Sequence, residues 1–225
     1  MIARGNWRAI LIGAAFSIAA AAASMGWLAY HEGGGDISSG ATILIEQIAQ
    51  TQEVHRGMDD ESPVFSWTRL DLFAVIAKWT GSDPGDLPHV LVMFLILGLP
   101  MWILWKRHRH EVDDGITGAT GGLMMTALLV SLYHQSYDAL LLVPPIVGIV
   151  CCSSPQWHQT SIRVRWILAL LLACPLLNYL STRMFLLRLD LSETITKLLT
   201  SANGVSLALA LMVLCWVMVS RLRST

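Results

Sequence analysis

The sequence predicts an all-α fold, a polytopic membrane helix bundle of about six spans with amphipathic interfacial helices on its outer face. Three observations predict it. The 225 residues are 54% hydrophobic and only 14% charged, with mean hydropathy +0.56, too apolar for an ordinary soluble domain. Apolar runs near spanning length recur along the chain, and basic residues gather in alternate connecting segments.

The first run, Ala9 to Tyr30, follows Arg4 and Arg8 and contains Ala21, Ala22 and Ala23, a pattern shared with cleavable secretion signals. Its apolar stretch of about 22 residues exceeds the 7 to 15 of such signals, so it reads as a span. Cleavage would leave five spans with the topology of the others unchanged. The remaining runs are Val90 to Trp105, Gly115 to Tyr133, Ala139 to Cys152, Ile162 to Leu180 and Ala202 to Ser220. Gly98 and Pro100 predict a kink in the second, and Pro144 and Pro145 weaken the fourth.

A long outer loop, residues 32–89, separates the first two spans. Ser38 and Ser39 can cap a helix carrying Leu44, Ile45 and Ile48, and Leu72, Val75, Ile76 and Trp79 recur at helical spacing. In the last outer loop, Leu191, Ile195, Leu198 and Leu199 form a further apolar stripe. All three segments read as helices lying along the outer membrane surface. Without internal repeats or a long tail, residues 1–225 read as a single membrane domain.

With the N-terminus inside, the inner segments hold Arg4, Arg8, Lys106, Arg107, Arg109, Arg163, Arg165, Arg221 and Arg223 against Glu111, Asp113 and Asp114. The outer segments hold thirteen acidic residues and six basic ones. This bias predicts a multi-pass protein of the cell inner membrane with both termini cytoplasmic. A net charge of -1 and the lack of a basic patch exclude a nucleic-acid partner. Cys151, Cys152, Cys174 and Cys215 have neither zinc nor disulfide-framework spacing and read as small apolar residues.

Three outer clusters could carry chemistry. Tyr133, His134, Gln135, Ser136, Tyr137 and Asp138 occupy a short turn between the third and fourth spans. On a helical turn His134 and Asp138 share a face, an arrangement able to bind sugar hydroxyls or phosphate, or to relay a proton. The same residues also fit a helix cap and an interfacial aromatic belt. Arg69 and Asp71, in Trp67-Thr68-Arg69-Leu70-Asp71, could hold a phosphate and a sugar hydroxyl, or form an ion pair and an acid at a helix N-terminus. Arg183 and Arg188 run against the charge bias, which an anionic lipid headgroup, a polyprenyl phosphate or snorkelling by the long side chains explains. His134 and Asp138 are too few ligands for a metal site. Lys106 to His110 reads as a topology anchor, and His31 and His55 receive no role.

The stretch Ser66 to Asp71, followed by Tyr133-His134-Gln135-Ser136-Tyr137-Asp138-Ala139-Leu140-Leu141-Leu142 and Pro144, resembles glycosyltransferase family 87. These are GT-C-class membrane enzymes resembling polyprenyl-phosphate-mannose-dependent mannosyltransferases. The resemblance covers most of the chain and corresponds to the carboxy-terminal half of such proteins. It implies transfer of a sugar, mannose foremost, from a polyprenyl-phosphate donor in the membrane lipid to an extracytoplasmic glycan or glycolipid acceptor, with no cofactor beyond the donor. Asp138 and Asp71 are then the catalytic candidates; Arg69, His134, Tyr137, Arg183 and Arg188 are the substrate-binding ones. Family members usually carry a catalytic carboxylate in an amino-terminal module, and nothing corresponding precedes the similar region here. Truncation is the favoured expectation; the alternatives are a partner chain supplying that half, or Asp36, Asp71 or Asp138 taking over.

A non-catalytic scaffold or accessory subunit needs only the helices and outer loop. A transporter subunit would place polar binding residues near the bilayer midplane, whereas these spans contain almost no charge.

Overall fold

The computed structural model describes residues 7–57, 66–82, 85–109, 114–132, 136–181 and 183–222. Every element among them is helical. They cluster into two compact units, Met1–Pro63 and Val64–Thr225.

The first unit is a helical hairpin of α1 (Trp7–Glu32) and α2 (Ile37–Gly57). Helix α1 is apolar around its circumference, and Leu11, Ile12, Phe16 and Ile18 stand exposed, as a helix surrounded by lipid would leave them. Gly34 and Gly35 take the positive φ values that turn the chain. Helix α2 packs back on the end of α1, where Gly40 lies so near the Ala29 carbonyl that a Cβ would have no room. Asp36, rather than Ser38 or Ser39, caps α2: its carboxylate accepts from the Ser38 and Ser39 N–H groups at 3.0 and 3.3 Å. The aspartate sits immediately before the first helical residue, Ile37, where its oxygens can reach forward to both amides.

The second unit begins with α3 (Leu72–Thr80) and α4 (Asp86–Arg109), followed by α5 (Ala119–Ser131). A 3-10 helix over Ser136–Leu142 leads into α6 (Val143–Val150), then α7 (Pro155–Gln159) and α8 (Ile162–Ala173). A second 3-10 helix over Cys174–Ser181 precedes α9 (Arg183–Leu187) and α10 (Glu193–Leu222). Helix α10 is the axis, packed by α3, α4, α5, α8 and the second 3-10 segment. Leu123, Leu168, Leu172, Leu207, Leu214 and Met218 form the fully buried centre.

Among the described residues three helical stretches are long and apolar enough to cross a membrane: Leu11–Glu32, Leu87–Arg107 and Glu193–Leu222. The chain is therefore membrane-associated by its composition and helix lengths. Helix α4 continues through Pro100. The expected fourth and fifth runs are each split between α and 3-10 geometry, and α5, at about 20 Å, falls short of a hydrocarbon core of about 30 Å. Of the apolar stripe placed in the last outer loop, Ile195, Leu198 and Leu199 are continuous with the final apolar run in one helix of 30 residues, and Leu191 precedes it. Nothing between Glu193 and Ala202 breaks helical geometry, so the polarity change there is not a structural boundary.

The unit has two distinguishable ends. One gathers the C-termini of α4 and α10 with the start of α5 and α7, through Arg107–Asp114, Trp157 to the Thr117 carbonyl, and Arg221 to Gln159 and Thr160. The other gathers α3, the start of α10 and the two 3-10 segments.

Candidate functional site

At the α3 end, the chain turns at Trp67 and Thr68 and enters α3 with Asp71 as its N-cap. Asp71 Oδ1 accepts from the Ala74 N–H at 2.9 Å and from Arg69 Nη2 at 2.9 Å; Oδ2 accepts from Arg69 Nε at 2.7 Å. Arg69 is 3% exposed and Asp71 is 0% exposed. The fork of the guanidinium matches the two carboxylate oxygens, and the geometry leaves neither oxygen facing open solvent. Ion pair and helix cap are thus one structure.

Lys78, two turns along α3, is buried as well. Its ammonium donates to the Thr200 carbonyl of α10 at 3.1 Å and to the Trp67 carbonyl at 3.5 Å. Burial lowers its pKa to about 8; the Asp71 charge raises it against that trend and Arg69 adds to the lowering. Trp79 Nε1 donates to Ser201 Oγ at 3.1 Å, so α3 is tied to α10 at successive residues. Helix α10 answers with a buried polar stretch, Thr200, Ser201, Asn203 and Ser206. Gly204 makes the approach close, its Cα facing the Leu70 carbonyl and Val75.

These α10 partners and Lys78 escaped the sequence reading. Their signal is a single cation inside Leu-Phe-Ala-Val-Ile-Ala-Lys-Trp-Thr and the small polar run Thr200-Ser201-Ala202-Asn203-Gly204 heading an apolar helix. The apolar stripe expected on α3 is divided: Val75 is buried with Phe73, Ala74 and Ala77, whereas Ile76 and Trp79 remain exposed.

The other candidates lie on neighbouring elements of the same end. Tyr137 and Asp138 are on the first 3-10 helix, Tyr137 67% exposed and Asp138 half-buried, while the adjoining Ala139 and Leu142 enter the core. That helix packs on the Cys174–Ser181 segment, which in turn packs on α9. Arg183 begins α9, and Arg188 follows it with an exposed side chain. Tyr133, His134 and Gln135 lie outside the described residues.

At the opposite end, Asp114 caps α5 through the Ala119 N–H at 2.7 Å and meets Arg107 Nη2 at 3.3 Å. Arg107, within the run read as a topology anchor, is 4% exposed. Among the described residues no group of three or more His, Cys, Asp or Glu could hold a metal ion, and Cys151, Cys152, Cys174 and Cys215 are free thiols. No protein-family model, curated protein or solved structure matches the chain.

Proposed function

We propose that this chain is a six-span inner-membrane protein with cytoplasmic termini that works as a polyprenyl-phosphate-sugar glycosyltransferase, its sugar-handling groups on the turn bearing Tyr137 and Asp138. The observation supporting this reading is that the 3-10 helix bearing Tyr137 and Asp138 and the helix α9 begun by Arg183 both pack on the Cys174–Ser181 segment, with Arg188 directly after α9. The alternation of α4, α5, α6 with its 3-10 lead, α8 with its 3-10 extension, and α10 between the two ends supports counting five crossings in this unit, although α5 by itself is shorter than the hydrocarbon core, with α1 the sixth. Resemblance to the family 87 turn supports mannose as the sugar.

In this reading the Asp138 carboxylate takes the proton of an acceptor hydroxyl. The hydroxyl oxygen bonds to the anomeric carbon as that carbon's bond to the phosphate oxygen breaks, and polyprenyl phosphate departs with the electron pair. Arg188, exposed and free to reach the membrane surface, and Arg183 stabilise the departing charge. Asp71 is assigned to holding Arg69, because both of its oxygens are already engaged.

The test is transfer of radiolabelled mannose from polyprenyl-phosphate-mannose in membranes containing the chain. Wild-type transfer that falls about a hundredfold or more in Asp138→Asn, with unchanged membrane insertion, is expected. Equal transfer by the variant sinks the assignment. The buried Asp71, with both carboxylate oxygens engaged by Arg69 and the Ala74 N–H, favours a second reading, a non-catalytic scaffold or accessory subunit in which the outer end only holds shape. Absence of transfer by wild type together with co-purification of a membrane enzyme would favour that reading.

A further inference from the structure

We propose that the groove between α6 and α8, at the Arg107 end of the bundle, binds an anionic glycerophospholipid, with its phosphate on Arg165 and an acyl chain along the groove. The groove is lined by Ile149, Val150, Ile162, Arg165, Trp166 and Ala169. Val150, Ile162 and Trp166 are about half exposed, so one wall of aliphatic and indole surface is left for an apolar occupant.

Arg165 supplies the charge argument. Its Nε and Nη1 are buried and have no hydrogen-bond partner among the described residues. No aspartate or glutamate occurs between Asp138 and Asp190, so α6, α7, α8 and their connections contain no carboxylate for it. Asp114, an acid at the same end, is engaged by Arg107 and by the start of α5. A buried donor pair without an acceptor is costly, and an anionic oxygen entering the groove removes that cost.

A lipid fits better than a free phosphate because the lining apart from Arg165 is apolar and continuous with the exposed flank of α8. Arg165 and Trp166 both line the groove, which gives it a guanidinium and an indole, the two groups that suit the junction of headgroup and acyl chain. Arg163, exposed on the same turn, adds positive potential without lining the groove.

The experiment is native mass spectrometry of the full chain in detergent, titrated with phosphatidylglycerol, with phosphatidylcholine, and with inorganic phosphate as competitor. Wild type should bind one phosphatidylglycerol in preference to phosphatidylcholine. Arg165→Gln should weaken that binding roughly five- to tenfold, and Arg163→Gln less than about twofold. Val150→Trp, which fills the groove from its exposed side and leaves Arg165 in place, should also weaken it and keeps the test decisive if Arg165→Gln does not fold. Unchanged phosphatidylglycerol affinity in a folded Arg165→Gln or in Val150→Trp would overturn the proposal. So would equal binding of phosphatidylcholine, or full displacement by millimolar inorganic phosphate, which would indicate a simple anion site.

Discussion

The two ends of the second unit each contain an aspartate that caps a helix and meets an arginine, yet the resulting pairs differ. Asp71 receives Arg69 through two short hydrogen bonds at 2.7 and 2.9 Å while capping α3. Asp114 caps α5 as closely, but its arginine stands at 3.3 Å, and Arg107 Nε and Nη2 lack hydrogen-bond geometry to any described acceptor. Sequence distance accounts for part of this. Arg69 and Asp71 are two residues apart on one turn, so the fork is set locally; Arg107 comes from a different helix and is aligned only as well as helix packing allows. The comparison teaches that a buried charge pair is worth what its geometry makes it, not what its residue types promise.

The largest expected effect follows from breaking the better pair. Asp71→Ala strands a buried guanidinium and removes the α3 cap, and should destabilise the protein by about 3–5 kcal/mol. Thermal unfolding in detergent checks this, and the double variant Arg69→Met, Asp71→Leu should cost less than Asp71→Ala alone. If the single and double variants are equally destabilised, burial of an unpaired charge is not the cause.

Next is the pH dependence of Lys78. The unfolded chain holds this proton up to its ordinary pKa of 10.5, whereas the folded chain releases it above about 8. Between these values the unfolded state binds more protons, so stability should rise with pH across that window, by about 3 kcal/mol at most. Below about 8 the contribution is constant. Unfolding followed from pH 7.5 to 10.5 should show the rise in wild type and its loss in Lys78→Met; an identical profile for both would assign the slope elsewhere.

The smallest effect belongs to the looser pair. Asp114→Ala removes a cap and a 3.3 Å contact to a buried guanidinium that already lacks hydrogen-bond geometry to it, and should cost less, about 1–2 kcal/mol in the same unfolding assay. A loss as large as that of Asp71→Ala would erase the distinction between the two ends.

Much of the fold was legible in the residues. The helix at Leu72 announces itself by Asp71 before an apolar run, and α1 and α4 by length and composition. Asp71 as an acid at a helix start was open to sequence reasoning because a cap is a contact within three residues. Less was legible where a boundary depended on polarity: the break expected before Ala202 is absent, since Thr200 and Ser201 find acceptors or donors inside the bundle and do not end the helix. The segment before Pro144 and the one carrying Pro175 turn into 3-10 geometry, a choice between hydrogen-bond patterns that apolar content does not distinguish.

By itself the sequence determined the helical class, the membrane affinity and the asymmetry of charge, because these depend on hydrophobicity and short-range hydrogen bonding summed over a window of one helix. Only the tertiary structure decided which polar groups meet. Lys78 and the Thr200 carbonyl stand 122 positions apart, and Arg165 Nε and Nη1 are buried with no hydrogen-bond partner among the described residues. Such pairings follow from how helices pack side by side, and no local window contains that information.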